Sequence, residues 1–245
     1  MSWYGQDAAA LEQMLALPRV LAAETLSSTM DAAHAEAAAG APAGTLVLAE
    51  EQRAGRGRGG NRWRSAPRGG IWMTLIERPS DAAALEVLSL RVGLRLAPVL
   101  ERWTSSAVRL KWPNDLFVGD DKLAGVLIEA RWRDQRPDWV AIGVGVNLGH
   151  PARDVAAALR TAALQDADAV TVVAELVPAL RAAAFARGAL STQELADFAA
   201  RDLTVGRQLS SPSVGTARGI TPDGALLIES SQGLTSYRAG SLVLS

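Results

Sequence analysis

The chain contains no cysteine. That removes disulfides, thiolate nucleophiles and thiolate metal sites together, and makes a reducing, cytoplasmic setting the expectation. Histidine is almost absent too: His34 and His150 are the only two, and neither stands at a metal-type spacing from carboxylates. Zinc chemistry and Ser-His-Asp catalysis are therefore disfavoured, and His34 reads as the surface decoration of a helix. Charge of one sign is also missing. With 25 basic against 26 acidic residues the formal net charge is -1, so any attraction to anions must be local rather than global. No apolar run approaches the ~18–20 residues of a membrane span, and the amino terminus lacks a basic-then-apolar secretory pattern, so no membrane partner is expected. The P-loop and nucleophile-elbow patterns are absent as well.

What is present is enough chain, 245 residues, for one large domain with a small companion. An Ala-rich segment at 8–17, stopped by Pro18, reads as a short helix, and 19–26 as a strand. Ser27-Ser28-Thr29 stands as a hydroxyl cap before a helix at 31–39 that Gly40 closes. Strands follow at 45–49 and 70–76, and a long helix with an internal Pro98 at 80–103. Three further apolar strands, 108–112, 122–130 and 139–148, have only turns between them and should pair antiparallel. Helices are expected at 154–164, 171–187 and 191–202, the last opened by the capping box Ser191-Thr192-Gln193-Glu194. From 203 helical periodicity gives way to short β runs and turn signals. The reading is a mixed α/β sheet domain over 1–200 and a small all-β module over 201–245, the latter too small to be stable without leaning on the former.

The most informative stretch joins the two strands at 45–49 and 70–76. Gln52-Arg53-Ala54-Gly55-Arg56-Gly57-Arg58-Gly59-Gly60-Asn61-Arg62-Trp63 mixes residues that free the backbone with residues that grip phosphate or carboxylate through paired hydrogen bonds. Gly55-x-Gly57-x-x-Gly60 matches the dinucleotide fingerprint formally, but no helix opens at its last glycine, so a Rossmann site is not indicated. A loop of this kind suits the enclosure of a compact anion. Lys111-Trp112-Pro113-Asn114-Asp115 gathers an ammonium, an amide and a carboxylate at a strand end, although a plain Pro-Asn-Asp turn reads as well. Lys122 opens an apolar strand with Gly125 three residues on, which either delivers its charge into a dry pocket or merely snorkels at an edge. Gly143 and Gly145 clear one face of a strand that ends at Asn147, leaving room for a flat ligand or simply for packing. Trp63 and Trp112 are the tryptophans expected near a ligand.

Taken in order, Ser-Ser-Thr, Glu-x-Gln-x-Ala-Gly-Arg-Gly-Arg-Gly, Lys-Trp-Pro-Asn-Asp-Leu, Lys-Leu-Ala-Gly-Val-Leu-Ile-Glu and Gly-Val-Gly-Val-Asn-Leu resemble the biotin protein ligases, in the form without an amino-terminal DNA-binding domain. The resemblance runs from about Ser27 to the carboxyl terminus. It implies a class II aminoacyl-tRNA-synthetase-like catalytic domain followed by an SH3-like β-barrel, with ATP and biotin as substrates and Mg2+ accompanying the nucleotide. It further implies a biotin carboxyl carrier protein domain of acetyl-CoA carboxylase or a related carboxylase as partner, and allows a homodimer. Fewer than thirty residues precede Ser28, so no helix-turn-helix and no DNA partner are expected. Carried over by motif, biotin falls to Ser28, Thr29, Gln52, Gly55, Arg56, Gly57, Arg58, Lys122 and Gly125. The nucleotide falls to Arg56, Arg58, Lys111, Asn114, Lys122 and Asn147. Lys122, Arg58 and Lys111 would carry the chemistry, and Asp115 would orient the acceptor lysine. Met30 stands where the family often has Asn, which should remove a polar contact at that corner, and Gly59-Gly60-Asn61 where it is often more basic, which should make closure of the loop more mobile and retention of the intermediate looser. A lipoate or octanoate ligase or transferase on the same fold is the alternative.

Overall fold

The computed structural model describes residues 2–149 and 162–244. Its frame is a seven-stranded mixed sheet. Strands β3 (Arg19–Leu26) and β4 (Thr45–Gln52) run parallel, and from β4 onward every neighbour is antiparallel: β5 (Gly70–Glu77), β9 (Arg136–Asn147), β8 (Asp121–Arg133), β7 (Asp115–Val118) and β6 (Val108–Lys111). The strand order is β3-β4-β5-β9-β8-β7-β6. A short hairpin precedes it, β1 (Ser2–Trp3) with β2 (Gln6–Asp7), leading into helix α1 (Ala8–Leu15). No sequence signal marked that hairpin; it is held because Trp3 is fully buried and the Tyr4 amide donates to Glu50.

The sheet has two unlike faces. One carries the main core: Leu46, Leu48, Ile71, Met73 and Leu75 from the strands meet Leu96, Leu100, Val173 and Leu176 from helices α4 (Leu88–Leu100) and α5 (Ala169–Phe185). The other face is covered by α2 (Thr29–Ala38), whose Ala33 and Ala37 pack on Val47 and Ile76. Because side chains alternate along a strand, Trp139, Ala141, Gly143 and Gly145 of β9 and Gly125, Leu127 and Glu129 of β8 all stand on this second face, beyond the end of α2. Small residues there leave the opening in which the site forms.

Two helical expectations need correction. The helix read at 80–103 is two: α3 (Ala82–Glu86), capped by the Asp81 carboxylate, and α4, separated at Val87. At that break the Gly224 turn comes so close that a Cβ there would lie 3.1 Å from Val87 and 3.0 Å from Leu90. The helix at 31–39 starts at Thr29 instead, and Ser28 takes the N-cap position without using its hydroxyl as a cap. The helix expected over 154–164 lies, up to residue 161, outside the described residues, as does His150; Leu164 forms a β-bridge with Leu148. Strand β7 was missed because Pro113-Asn114 makes a tight hairpin, so Asp115 begins a strand rather than ending a turn.

Helix α6 (Thr192–Arg201) opens with the expected capping box at Ser191 and Glu194. Glu194 also pairs with Arg91 at 2.8 Å, and Arg91, 2 % exposed, donates to the carbonyls of Arg187, Gly188 and Ala189 as well. Every donor-rich edge of this buried guanidinium thus finds an acceptor, which is the condition under which such a group is tolerated.

The small module is a five-stranded antiparallel sheet, β13 (Gly233–Tyr237), β12 (Leu226–Ser230), β11 (Gly215–Ile220), β10 (Gln208–Ser211) and β14 (Val243–Leu244) in that order. It leans on the larger sheet as its size requires. The Trp112 indole donates to the Gly224 carbonyl at 2.9 Å, and Arg238 pairs with Glu86 at 2.8 Å.

Candidate active site

A cavity of about 580 Å³ opens on the second face of the sheet. Its polar end is built where α2 begins and β4 stops. Thr74 donates to the Thr29 hydroxyl (2.9 Å), Thr29 to the Gln52 side-chain oxygen (3.0 Å), and the Gln52 amide nitrogen to Ser65 (2.8 Å). The same Gln52 oxygen accepts from the Thr29 backbone amide at 2.8 Å, so Gln52 supplies the cap that Ser28 does not. Ser28 is 2 % exposed and its hydroxyl has no partner among the described residues. A buried hydroxyl left unpaired at a helix amino terminus, beside an ordered chain of donors and acceptors, has the capacity to donate to or accept from a polar ligand.

The floor is the glycine patch. A Cβ on Gly145 would lie 2.6 Å from the Trp63 ring, one on Gly125 2.8 Å from it, and one on Gly143 2.7 Å from the Met30 methyl. The Trp63 ring packs directly into the space that Gly125 and Gly145 clear, and the Met30 methyl into that beside Gly143; both side chains line the cavity as its apolar part, next to the polar end. Trp63 and Trp112 both line the cavity, as the sequence suggested.

The third wall is cationic. Lys122 sits 2.7 Å from Asp115 and 4.9 Å above the Trp63 ring centroid. Lys111 lies 5.6 Å above Phe117; burial pulls its pKa down, Asp115 pulls it up, and Lys122 and Arg207 lower it further. Arg58 reaches Asn114 at 3.4 Å, and burial likewise lowers its pKa against the field of Asp115. Asn114 is itself pinned, its amide donating to the Val126 carbonyl at 2.7 Å. No carboxylate of the described residues lies within ion-pair distance of Arg58 or Lys111. One acid therefore faces three cations, an excess of positive charge in a partly dry space that favours polyanions.

The glycine-arginine loop is a folded flap over this space. Gly57 donates to the Asn61 carbonyl (2.8 Å) and Trp63 to that of Gly55 (2.9 Å), with a single 3-10 turn at Arg58–Gly60 as its tip. Gly59 and Gly60 have φ of 63° and 79°, the conformation that makes glycine necessary there. Gly55 shapes the base: a Cβ would meet the Trp63 carbonyl at 2.5 Å.

Ser28, Thr29, Gln52, Arg56, Gly57, Arg58, Lys111, Asn114, Asp115, Lys122 and Gly125 all border the one cavity. Gly55 and Asn147 do not. Asn147 instead donates to the carbonyls of Lys122 (3.1 Å) and Ala162 (3.0 Å), steadying the backbone that carries the lysine. Thr74 and the segment 239–242 between β13 and β14 also line the cavity and were not anticipated. The latter carries no charge or motif that marks it, so only the folded chain brings it there.

The sequence profile of the Biotin/lipoate A/B protein ligase family matches residues 22–147. The biotin--[acetyl-CoA-carboxylase] ligase of Mycobacterium tuberculosis is 31% identical over 225 residues, covering 85% of this chain and 82% of that protein. The bifunctional ligase/repressor BirA of Escherichia coli is 32% identical over 217 residues, 82% of this chain and 66% of its own length. Among solved structures, the biotin protein ligase from Aquifex aeolicus in complex with biotin and ATP superposes with a TM-score of 0.75 at 22% identity, covering 94% of this chain and 100% of that one; at this identity the likeness speaks for the fold.

Proposed function

Because the chain belongs to the biotin/lipoate A/B protein ligase family, we propose that it is a biotin protein ligase, activating biotin with ATP and passing the biotinyl group to a lysine of a biotin carboxyl carrier domain such as that of acetyl-CoA carboxylase. The observation that carries this reading is the union, in one cavity, of an unpaired buried hydroxyl and an ordered Gln52 at one end with Arg58, Lys111 and Lys122 at the other. A ligand with a polar ureido head, an apolar middle and a terminal carboxylate fits that succession. Ser28, Thr29 and Gln52 receive the head, Trp63 and Met30 flank the middle, and Lys122 meets the carboxylate.

The chemistry is then mostly positioning and electrostatics. The biotin carboxylate attacks the α-phosphorus of ATP, pyrophosphate leaves, and biotinyl-5'-AMP remains. In the second step a carrier lysine amine attacks the acyl carbon and AMP departs. Both early reactants are anions, and fixed cations in a site of low water content lower the cost of bringing them together without reorganising. Asp115, already on Lys122, is placed to steer the incoming lysine amine. The flap keeps water from the mixed anhydride. Mg2+ would accompany the nucleotide phosphates and neutralise part of their charge. No described helix is long and apolar enough to cross a membrane.

A lipoate or octanoate enzyme on this fold requires a long apolar tunnel, whereas this cavity ends in Ser28, Thr29 and Gln52. The two readings part in one assay. Exchange of labelled pyrophosphate into ATP is expected with biotin and to stay at background with octanoate or lipoate; exchange driven by the fatty acids and not by biotin would reverse the assignment.

A further inference from the structure

Arg56 borders the cavity, yet its guanidinium is already engaged on the far side of the flap. One nitrogen lies 2.7 Å from Asp31 on α2 and another 2.5 Å from Glu129 on β8. The two carboxylates are not equivalent: the Asp31 side chain is 54% exposed and that of Glu129 only 19%. An exposed pair is screened and contributes little, while the more buried one keeps its strength.

The second oxygen of Glu129 lies 2.9 Å from His34 Nε2, and His34 Nδ1 lies 3.0 Å from the indole nitrogen of Trp139. An indole N–H only donates, so Nδ1 accepts, and a neutral imidazole must then carry its proton on Nε2 and give it to Glu129. Burial, the largest influence on His34, lowers its pKa and favours that neutral form; Glu129 acts the other way, and Arg131 and Arg56 reinforce the lowering. His34 is therefore a buried link, 9% exposed, and not the surface decoration the sequence suggested. The links come from four places in the chain: Trp139 on β9, His34 on α2, Glu129 on β8 and Arg56 in the flap.

We propose that Glu129, its carboxylate held by His34 and Trp139, is the positioning residue that docks the flap through Arg56. Docked in this way, Arg56 fixes the flap two residues before Arg58, which is then presented to the ligand, and ties it to the same helix that offers Ser28 and Thr29. Closing the flap and shaping the polar end of the site become one event. This rests on the ligase reading for its kinetic consequence and on geometry alone for the docking.

The test has two arms. In ligand-free protein, hydrogen exchange of the flap amides over residues 53–63 is expected to speed up about tenfold in Glu129→Gln, the scale of one lost charge-assisted hydrogen bond. Asp31→Asn should change it less, and Trp139→Phe should fall between them. Arg56→Gln should match Glu129→Gln, and the double variant should add nothing further, since both cut the same link. The exchanged pair Arg56→Glu with Glu129→Arg should recover part of the protection, which a general folding defect would not do. In the kinetic arm, Glu129→Gln should raise the KM for biotin about tenfold with kcat for pyrophosphate exchange within about twofold, the signature of lost positioning rather than lost chemistry. Wild-type flap protection in Glu129→Gln, or effects of Arg56→Gln and Glu129→Gln that multiply, would overturn the proposal. A wild-type protein inert toward biotin would defeat the ligase reading instead, and the exchange arm would still decide the docking.

Discussion

Lys122→Ala is expected to lower biotin-dependent pyrophosphate exchange by ~100- to 1,000-fold, the usual cost of removing one preorganised charge from a site where negative charge develops. Lys122 is the cation that stands beside the glycine floor, 4.9 Å above the Trp63 ring and paired with Asp115 at 2.7 Å. Its removal would take away the proposed partner of the biotin carboxylate and leave Asp115 facing that carboxylate without a counter-ion, so attraction would turn into repulsion. Lys122→Arg should rescue only weakly, because a planar fork does not reproduce a compact ammonium in this space. Initial exchange rates at saturating biotin and ATP measure the effect. A variant within a few-fold of wild type would remove Lys122 from the role assigned to it.

Arg58→Ala should act differently, on retention rather than on formation. Arg58 projects from the flap tip into the cavity, reaches Asn114 at 3.4 Å, and has no carboxylate within ion-pair distance among the described residues. Its proposed partner in the ligand complex is the phosphoryl group of biotinyl-5'-AMP. Without it the flap still folds, since its internal hydrogen bonds do not involve the guanidinium. The intermediate should then escape about tenfold faster, one charge-assisted hydrogen bond having been lost. Chromatography of released adenylate, together with biotin found on lysines of bystander proteins, reports the leak. An adenylate as firmly held as in wild type would transfer the closing role to other residues of the flap.

The sequence made some of this legible for identifiable reasons. Strand β3 and the capping box of α6 follow from local pattern, where periodicity and caps have no competitor. The motifs carrying Lys111, Asn114, Asp115 and Lys122 each read as well as a plain turn or edge on their own, and it is the family resemblance that puts them in one site with Arg58, as the cavity does. Long-range contacts were not readable. The break at Val87 depends on Gly224, more than a hundred residues away, and the wall at 239–242 on how the small sheet docks. His34 was misjudged because helical position alone cannot announce a Trp139 and a Glu129 arriving from two other strands. Ser28 stands at the helix start that the pattern marks, but its hydroxyl does not cap the helix: Gln52 accepts from the Thr29 amide in its place.

The cavity is proposed to join biotin to AMP and then to surrender the biotinyl group to a carrier lysine. Intact-mass spectrometry of a carboxylase carrier domain, incubated with the protein, ATP, magnesium and biotin, addresses it directly. One biotinyl group per domain is expected, lost when the acceptor lysine is replaced or ATP is withheld. A carrier that stays unmodified while another enzyme of known activity biotinylates it under the same conditions would contradict the account.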